Sequence, residues 1–137
     1  MRAGTAIFLL AGGLAPAFPA AAENPAAAEY DAALDEYIAL ADALLPILSS
    51  ARDRASADAA APGLEAEIAR LYRVREKLKK LPEPGNAESK ELERKYAMRM
   101  RTQWGRVFDE IYRLQAAECL GSESFRKAFT TLCLILR

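Results

Sequence analysis

Histidine is absent from this chain of 137 residues, and cysteine occurs only twice, as Cys119 and Cys133. Without histidine there is no Ser-His-Asp or Cys-His catalytic arrangement, no imidazole ligand for a metal, and no side chain that titrates unperturbed near neutrality. Two thiols are too few for a four-thiolate zinc site. Net charge is missing as well, since 19 basic residues balance 19 acidic ones, and a neutral chain lacks the positive field that generic nucleic-acid binding requires. β-Branched residues are scarce: valine, isoleucine and threonine together number 12, against 29 alanines and 18 leucines. That balance favours helix over strand. No Gly-rich phosphate loop, Walker sequence, EF-hand loop or helix-borne HExxH occurs. The carboxylate pairs Asp35/Glu36, Glu65/Glu67 and Asp109/Glu110 are adjacent or two apart on helices, so they point in different directions and read as solvated surface. The sequence thus offers no catalytic, cofactor-binding or metal-binding residue, and it reads as a protein that is not an enzyme.

Residues 1–22 have the pattern of a secretory signal peptide: Arg2 as the positive start, an apolar run from Ala6 to Ala11, and the small residues Ala20, Ala21 and Ala22 before Glu23. Gly12, Gly13, Pro16 and Pro19 interrupt the stretch well short of the ~20 apolar residues of a membrane span. Cleavage after Ala22 is expected, leaving residues 23–137 as a single domain, periplasmic or secreted and not transmembrane. No cysteine near that site offers a lipid anchor.

Apolar spacing divides the remainder into helices. A first helix over 26–49 aligns Tyr30, Leu34, Tyr37, Ile38, Ala41, Leu44, Leu45 and Leu48, with Pro46 predicting a kink or stop near Leu45. A second, over 56–81, takes Ser56 as N-cap and Leu64, Ile68, Leu71, Val74, Leu78 and Leu81 as its stripe. Its regular part is expected from Pro62, because Pro62 and Gly63 sit poorly in a helix interior. Residues 82–86 form the clearest break, with Pro82, Pro84 and Gly85. A third helix over 87–119 carries Leu92, Tyr96, Met100, Trp104, Val107, Ile111 and Leu114. Gly121 can close it in a left-handed cap, and Ser122 can open a short fourth helix with Phe125, Phe129, Leu132 and Cys133. The expected fold is all-α, an up-down helical bundle of three long helices plus a short C-terminal helix.

Asp53, Ser56, Ala57, Ala60, Ala61 and Leu64 spell D-x-x-S-A-x-x-A-A-x-x-L. This segment resembles a signature of short, exported, helical bacterial proteins of no known activity. The resemblance implies export and helicity, and no residue's role carries over.

The neutral total conceals opposed halves. Residues 23–69 hold ten acidic and two basic groups, and residues 70–106 hold five acidic and twelve basic. Some of this serves the helix dipoles: Arg75, Lys77, Lys79 and Lys80 end the second helix, and Glu88, Glu91 and Glu93 begin the third. The rest forms rows. Asp31, Asp35 and Asp42 recur at i, i+4, i+11 on one flank of the first helix. Lys95, Arg99 and Arg106 repeat that spacing on the opposite flank of the third, and Arg113 continues it. In parallel helices such flanks face each other, so the rows are expected to meet and set the pairing. The alternative is that the basic row stays open and, with Trp104 or Tyr96, grips an anionic lipid, glycan or acidic protein segment. Trp104 itself falls at the edge of the apolar stripe and reads as core or core rim.

Cys119 and Cys133 invite a disulfide in an oxidising compartment. A straight hairpin turning at Gly121 would leave them mismatched by roughly 13 Å at 1.5 Å per residue. Either the last segment folds back irregularly and the bridge forms, or the thiols are buried or paired between chains. The run Leu132 to Leu136, five apolar residues in succession, must be covered by this protein's own core or by another molecule. The function expected from all this is a non-catalytic structural or interaction role in the bacterial cell envelope. Alternatives are a periplasmic holdase-like chaperone with an apolar groove released at Pro46, or an anion binder acting through the basic row.

Overall fold

The computed structural model describes residues 25–137, so the signal peptide read over residues 1–22 lies outside the described residues. The described chain is all-α, with four helices and no strand: α1 (Pro25–Ser50), α2 (Arg54–Lys80), α3 (Asn86–Ala116) and α4 (Glu123–Leu136). A single turn, Glu118–Gly121, joins α3 to α4.

Helix ends follow local chemistry, though not always at the residues first expected. α2 opens before Ser56. Asp53 is the extended N-cap, its carboxylate accepts the Ser56 N–H at 2.8 Å, and the Asp53 N–H donates to Ser56 Oγ at 3.0 Å. This reciprocal capping box satisfies two otherwise orphaned donors, so the helix starts at Arg54 and runs straight through Pro62 and Gly63. α1 likewise continues through Pro46 to Ser50 instead of stopping near Leu45. Both prolines are exposed, so the helix carbonyls they leave without a donor can bond water. α3 begins at Asn86, the last residue of the expected break at 82–86, with the Glu88 carboxylate accepting the Gly85 N–H at 3.1 Å.

The end of α3 departs furthest from expectation. The helix stops at Ala116, and Glu118, Cys119 and Leu120 take left-handed φ values of 52°, 53° and 58° before Gly121 at 77°. Only glycine adopts that region without penalty, and each of the other three costs about 1–2 kcal/mol. Ser122, the next residue, anchors the turn. It is buried, it caps α4 by accepting the Phe125 N–H at 3.2 Å, and its hydroxyl donates to the Asp58 carboxylate at the start of α2.

Side-chain partners fix the directions. Asp31, Tyr37 and Leu48 of α1 meet Lys95, Trp104 and Arg113 of α3 in ascending order, so these helices run parallel. Glu36 pairs with Lys77, and Ile47 lies against Gly63, so α2 runs opposite to α1. Asp58 near the start of α2 meets Ser122 and Ser124 at the start of α4. α1 packs on both α2 and α3, and α4 packs on α2. The main core draws Leu44, Leu48, Leu64, Leu71, Val107, Leu114, Phe125 and Leu132 from all four helices. A smaller cluster, Tyr30, Leu34, Ile38, Leu92 and Tyr96, joins the first half of α1 to the start of α3. Four of the five terminal apolar residues are covered by the protein itself: Leu132 is fully buried, and Cys133, Ile135 and Leu136 pack against the main core, leaving Leu134 exposed.

Candidate functional site

The two charged rows meet along one seam for two rungs. Lys95 Nζ lies 3.0 Å from Asp31 Oδ1, and Arg99 lies 3.4 Å from Asp35 Oδ1. Tyr96 reinforces the first rung from below, its hydroxyl donating to Asp31 Oδ1 at 2.7 Å. Burial acts to raise the Asp31 carboxyl, but the hydrogen bonds from Tyr96 and Lys95 outweigh it and hold the group below the usual carboxylate range. The same contact, with burial as its larger cause, pushes the Tyr96 phenol well above its ordinary value. Lys95 and Arg99 also lie over the Tyr96 ring, 5.2 and 5.6 Å from its centre.

The third rung does not close. Arg106 and Asp42 are both exposed and share no ion pair among the described residues. Arg113 leaves the row for another task. Its Nη2 donates to the carbonyls of Leu48 and Ala51 at 3.0 and 3.1 Å, and its Nε to Glu110 at 2.8 Å. A cation thus sits on the C-terminal end of α1, where the helix dipole favours one. Trp104 is buried at 5 % exposure, stacked on Tyr37 at 4.8 Å, with its indole N–H donating to the Tyr37 carbonyl at 3.2 Å. Of the five residues read as an anion site, four have partners inside the protein.

Reversing the seam tests its worth. Exposed ion pairs contribute ~0–1 kcal/mol each, so Lys95→Glu with Arg99→Glu is expected to lower stability by about 1–2 kcal/mol once attraction becomes repulsion. Adding Asp31→Lys and Asp35→Lys should return part of the loss in thermal melts, and only part, because Tyr96 loses its carboxylate acceptor. No recovery would sink the pairing. Because the Asp31 pKa is depressed in the folded state, its contribution is complete at neutral pH and disappears as acid protonates it below the ordinary carboxylate range. Asp31→Asn should therefore flatten the fall of melting temperature below about pH 4.

A second feature lies at the far end of the molecule. Gln115, Glu118, Cys119, Arg126, Cys133 and Arg137 are among the residues lining an open cleft of about 420 Å3. Both thiols are free, Cys119 buried and Cys133 half-buried. Burial raises the Cys119 thiol, Arg126 opposes that shift and Cys133 adds to it; burial also raises Cys133, opposed by Arg137. The arrangement of this cleft depends on the left-handed turn, which no residue type in 118–120 announces.

Among the described residues, four large apolar side chains are exposed: Tyr72 on α2, Met98 and Tyr112 on α3, and Leu134. Met98 and Tyr112 share the face of α3 opposite its buried stripe. No cluster of His, Cys, Asp or Glu among the described residues could hold a metal ion, and no described helix is long and apolar enough to cross a membrane. Comparison with protein-family models, with curated proteins and with solved structures returned no match.

Proposed function

We propose that the chain is an exported, non-catalytic up-down helical bundle with a structural or interaction role in the bacterial cell envelope. The observation that carries this reading is the internal use of its chemistry-bearing side chains. Lys95, Arg99, Arg113 and Trp104 all serve contacts between α1 and α3, while the surface of α3 offers Met98 and Tyr112 to a partner. The directions of the four helices support the up-down arrangement. Export rests on the signal-like residues 1–22 and on the resemblance of the segment from Asp53 to Leu64.

The anionic-ligand reading keeps one support. The Lys95 and Arg99 side chains remain 48 % and 51 % exposed beside Arg106, so a strong polyanion could compete for them. A holdase role would instead use the exposed apolar side chains. One binding screen separates these: vesicles of anionic lipid, acidic glycans and an unfolded client protein, each at low and high salt. The bundle reading expects no salt-sensitive capture and no suppression of client aggregation. Capture that weakens with salt and is lost in Arg106→Ala would overturn it in favour of the anion reading. Recovery of the chain unprocessed in the cytoplasmic fraction would remove the export part.

A further inference from the structure

We propose that Cys119 and Cys133 are a redox pair whose oxidation closes an intramolecular disulfide across the C-terminal cleft, tying the last turns of α4 to the left-handed turn that precedes it. Four observations converge. The two thiols line the same cleft, although 14 residues separate them. Cys119 lies outside every α-helix: α3 ends at Ala116 and the thiol sits in the turn Glu118–Gly121, so the objection drawn from two straight antiparallel helices does not apply to it. The segment that carries Cys119 is strained, with three consecutive non-glycine residues at positive φ, and strained turns persist where something over-determines them. With the thiols free, that constraint is the burial of Cys119 and the anchoring of Ser122 on Asp58, and the turn is the element most easily moved to complete bond geometry, since leaving the left-handed region relieves it. Each thiol lies near an arginine, Arg126 for Cys119 and Arg137 for Cys133, that favours the thiolate needed for exchange.

The chemistry is thiol–disulfide exchange with a disulfide oxidant, for which oxidised glutathione serves in the test. Cys133, the more accessible thiol, loses its proton and attacks one glutathione sulfur, expelling one glutathione thiolate. The Cys119 thiolate then attacks Cys133 Sγ in the mixed disulfide and expels the second. Two protein thiols are oxidised, the glutathione disulfide is reduced to two thiols, and the two protons released by the cysteines are taken up by the departing thiolates.

The test uses the native full-length chain, reduced and then exposed to oxidised glutathione at pH 7 and pH 9 before mass analysis without reductant. A monomer lighter by two hydrogen atoms is expected, formed faster at pH 9 because burial keeps both thiols protonated at neutrality. Tryptic digestion should release the peptide Leu114–Arg126 joined to Ala128–Arg137. Closing a loop of this length is expected to raise the melting temperature by roughly 10 °C. Cys133→Ser, a substitution at the half-buried position, should fold, melt like the reduced protein and show no rise on oxidation. Glutathione adducts on both cysteines with no internal bridge, or a disulfide-linked dimer, would overturn the proposal. Both readouts come from the wild-type chain and do not depend on where the protein resides.

Discussion

Arg113→Met is expected to lower the melting temperature by roughly 10 °C, taking ~2–3 kcal/mol of lost stability for a domain of this size. The guanidinium reaches across from α3 to the carbonyls of Leu48 and Ala51 and is itself held by Glu110. α1 ends there, and the last carbonyls of a helix have no partner within it. Leu48 O still accepts the Ala51 N–H at 3.3 Å, so the larger deficit falls on Ala51, which is fully buried. A hydrogen bond to a charged donor contributes ~1.5–3 kcal/mol, and the 31 % exposure of the Arg113 side chain lets water replace part of it. Methionine keeps the length of the stem and removes the donors. Arg113→Lys is the informative companion. A single ammonium has no planar fork to serve two carbonyls and a carboxylate at once, so lysine should recover less than half of the loss in thermal melts monitored by circular dichroism. Full recovery would mean that charge near the end of α1, and not the hydrogen bonds, is what matters.

That role for Arg113 marks where the sequence could be read and where it could not. Its position in a basic row is visible as spacing, and for Lys95 and Arg99 the spacing led to the right partners, because a row and its complement need only a shared period. Which carbonyl a long side chain caps depends on where α1 stops, and α1 stops later than Pro46 suggested. Proline's effect on a helix is decided by whether the freed carbonyl faces water, which spacing alone does not reveal. Ser56 was legible as a capping residue but one turn out of place, since Asp53 and Ser56 both accept and the box closes only when Asp53 is the cap. The left-handed turn at Glu118, Cys119 and Leu120 was the least legible element. Nothing in glutamate, cysteine or leucine favours positive φ, so tertiary contacts impose it, chiefly the burial of Cys119 and the anchoring of Ser122 on Asp58. The cleft depends on that turn and was hidden with it, although Cys119 and Cys133 were legible as a candidate disulfide.

Leu44→Ala is expected to cost about 3 kcal/mol, within the 2–5 kcal/mol range of a fully buried leucine truncated in a packed core. Leu44 has no exposed surface and lies on the helix that packs against both α2 and α3. It belongs to the core that all four helices share, so the cavity it leaves closes only if helices shift against one another. With a total stability of about 5–15 kcal/mol for a domain of ordinary size, such a loss is a large share. The neighbouring Leu45 makes the measurement decisive. It is only half-buried, so Leu45→Ala should cost about 1 kcal/mol, the transfer free energy of a partly covered side chain. The contrast depends on α1 keeping one helical register through Pro46, because the same register places Leu48 fully inside beyond the proline. If α1 instead broke at Leu45, residues 45 and 48 would lose their assigned faces, and Leu45→Ala and Leu48→Ala would cost similar amounts. Chemical denaturation of the three variants, compared at equal slope, distinguishes a continuous α1 from a broken one, and with it the platform on which the seam, the Arg113 cap and the α2 interface all rest.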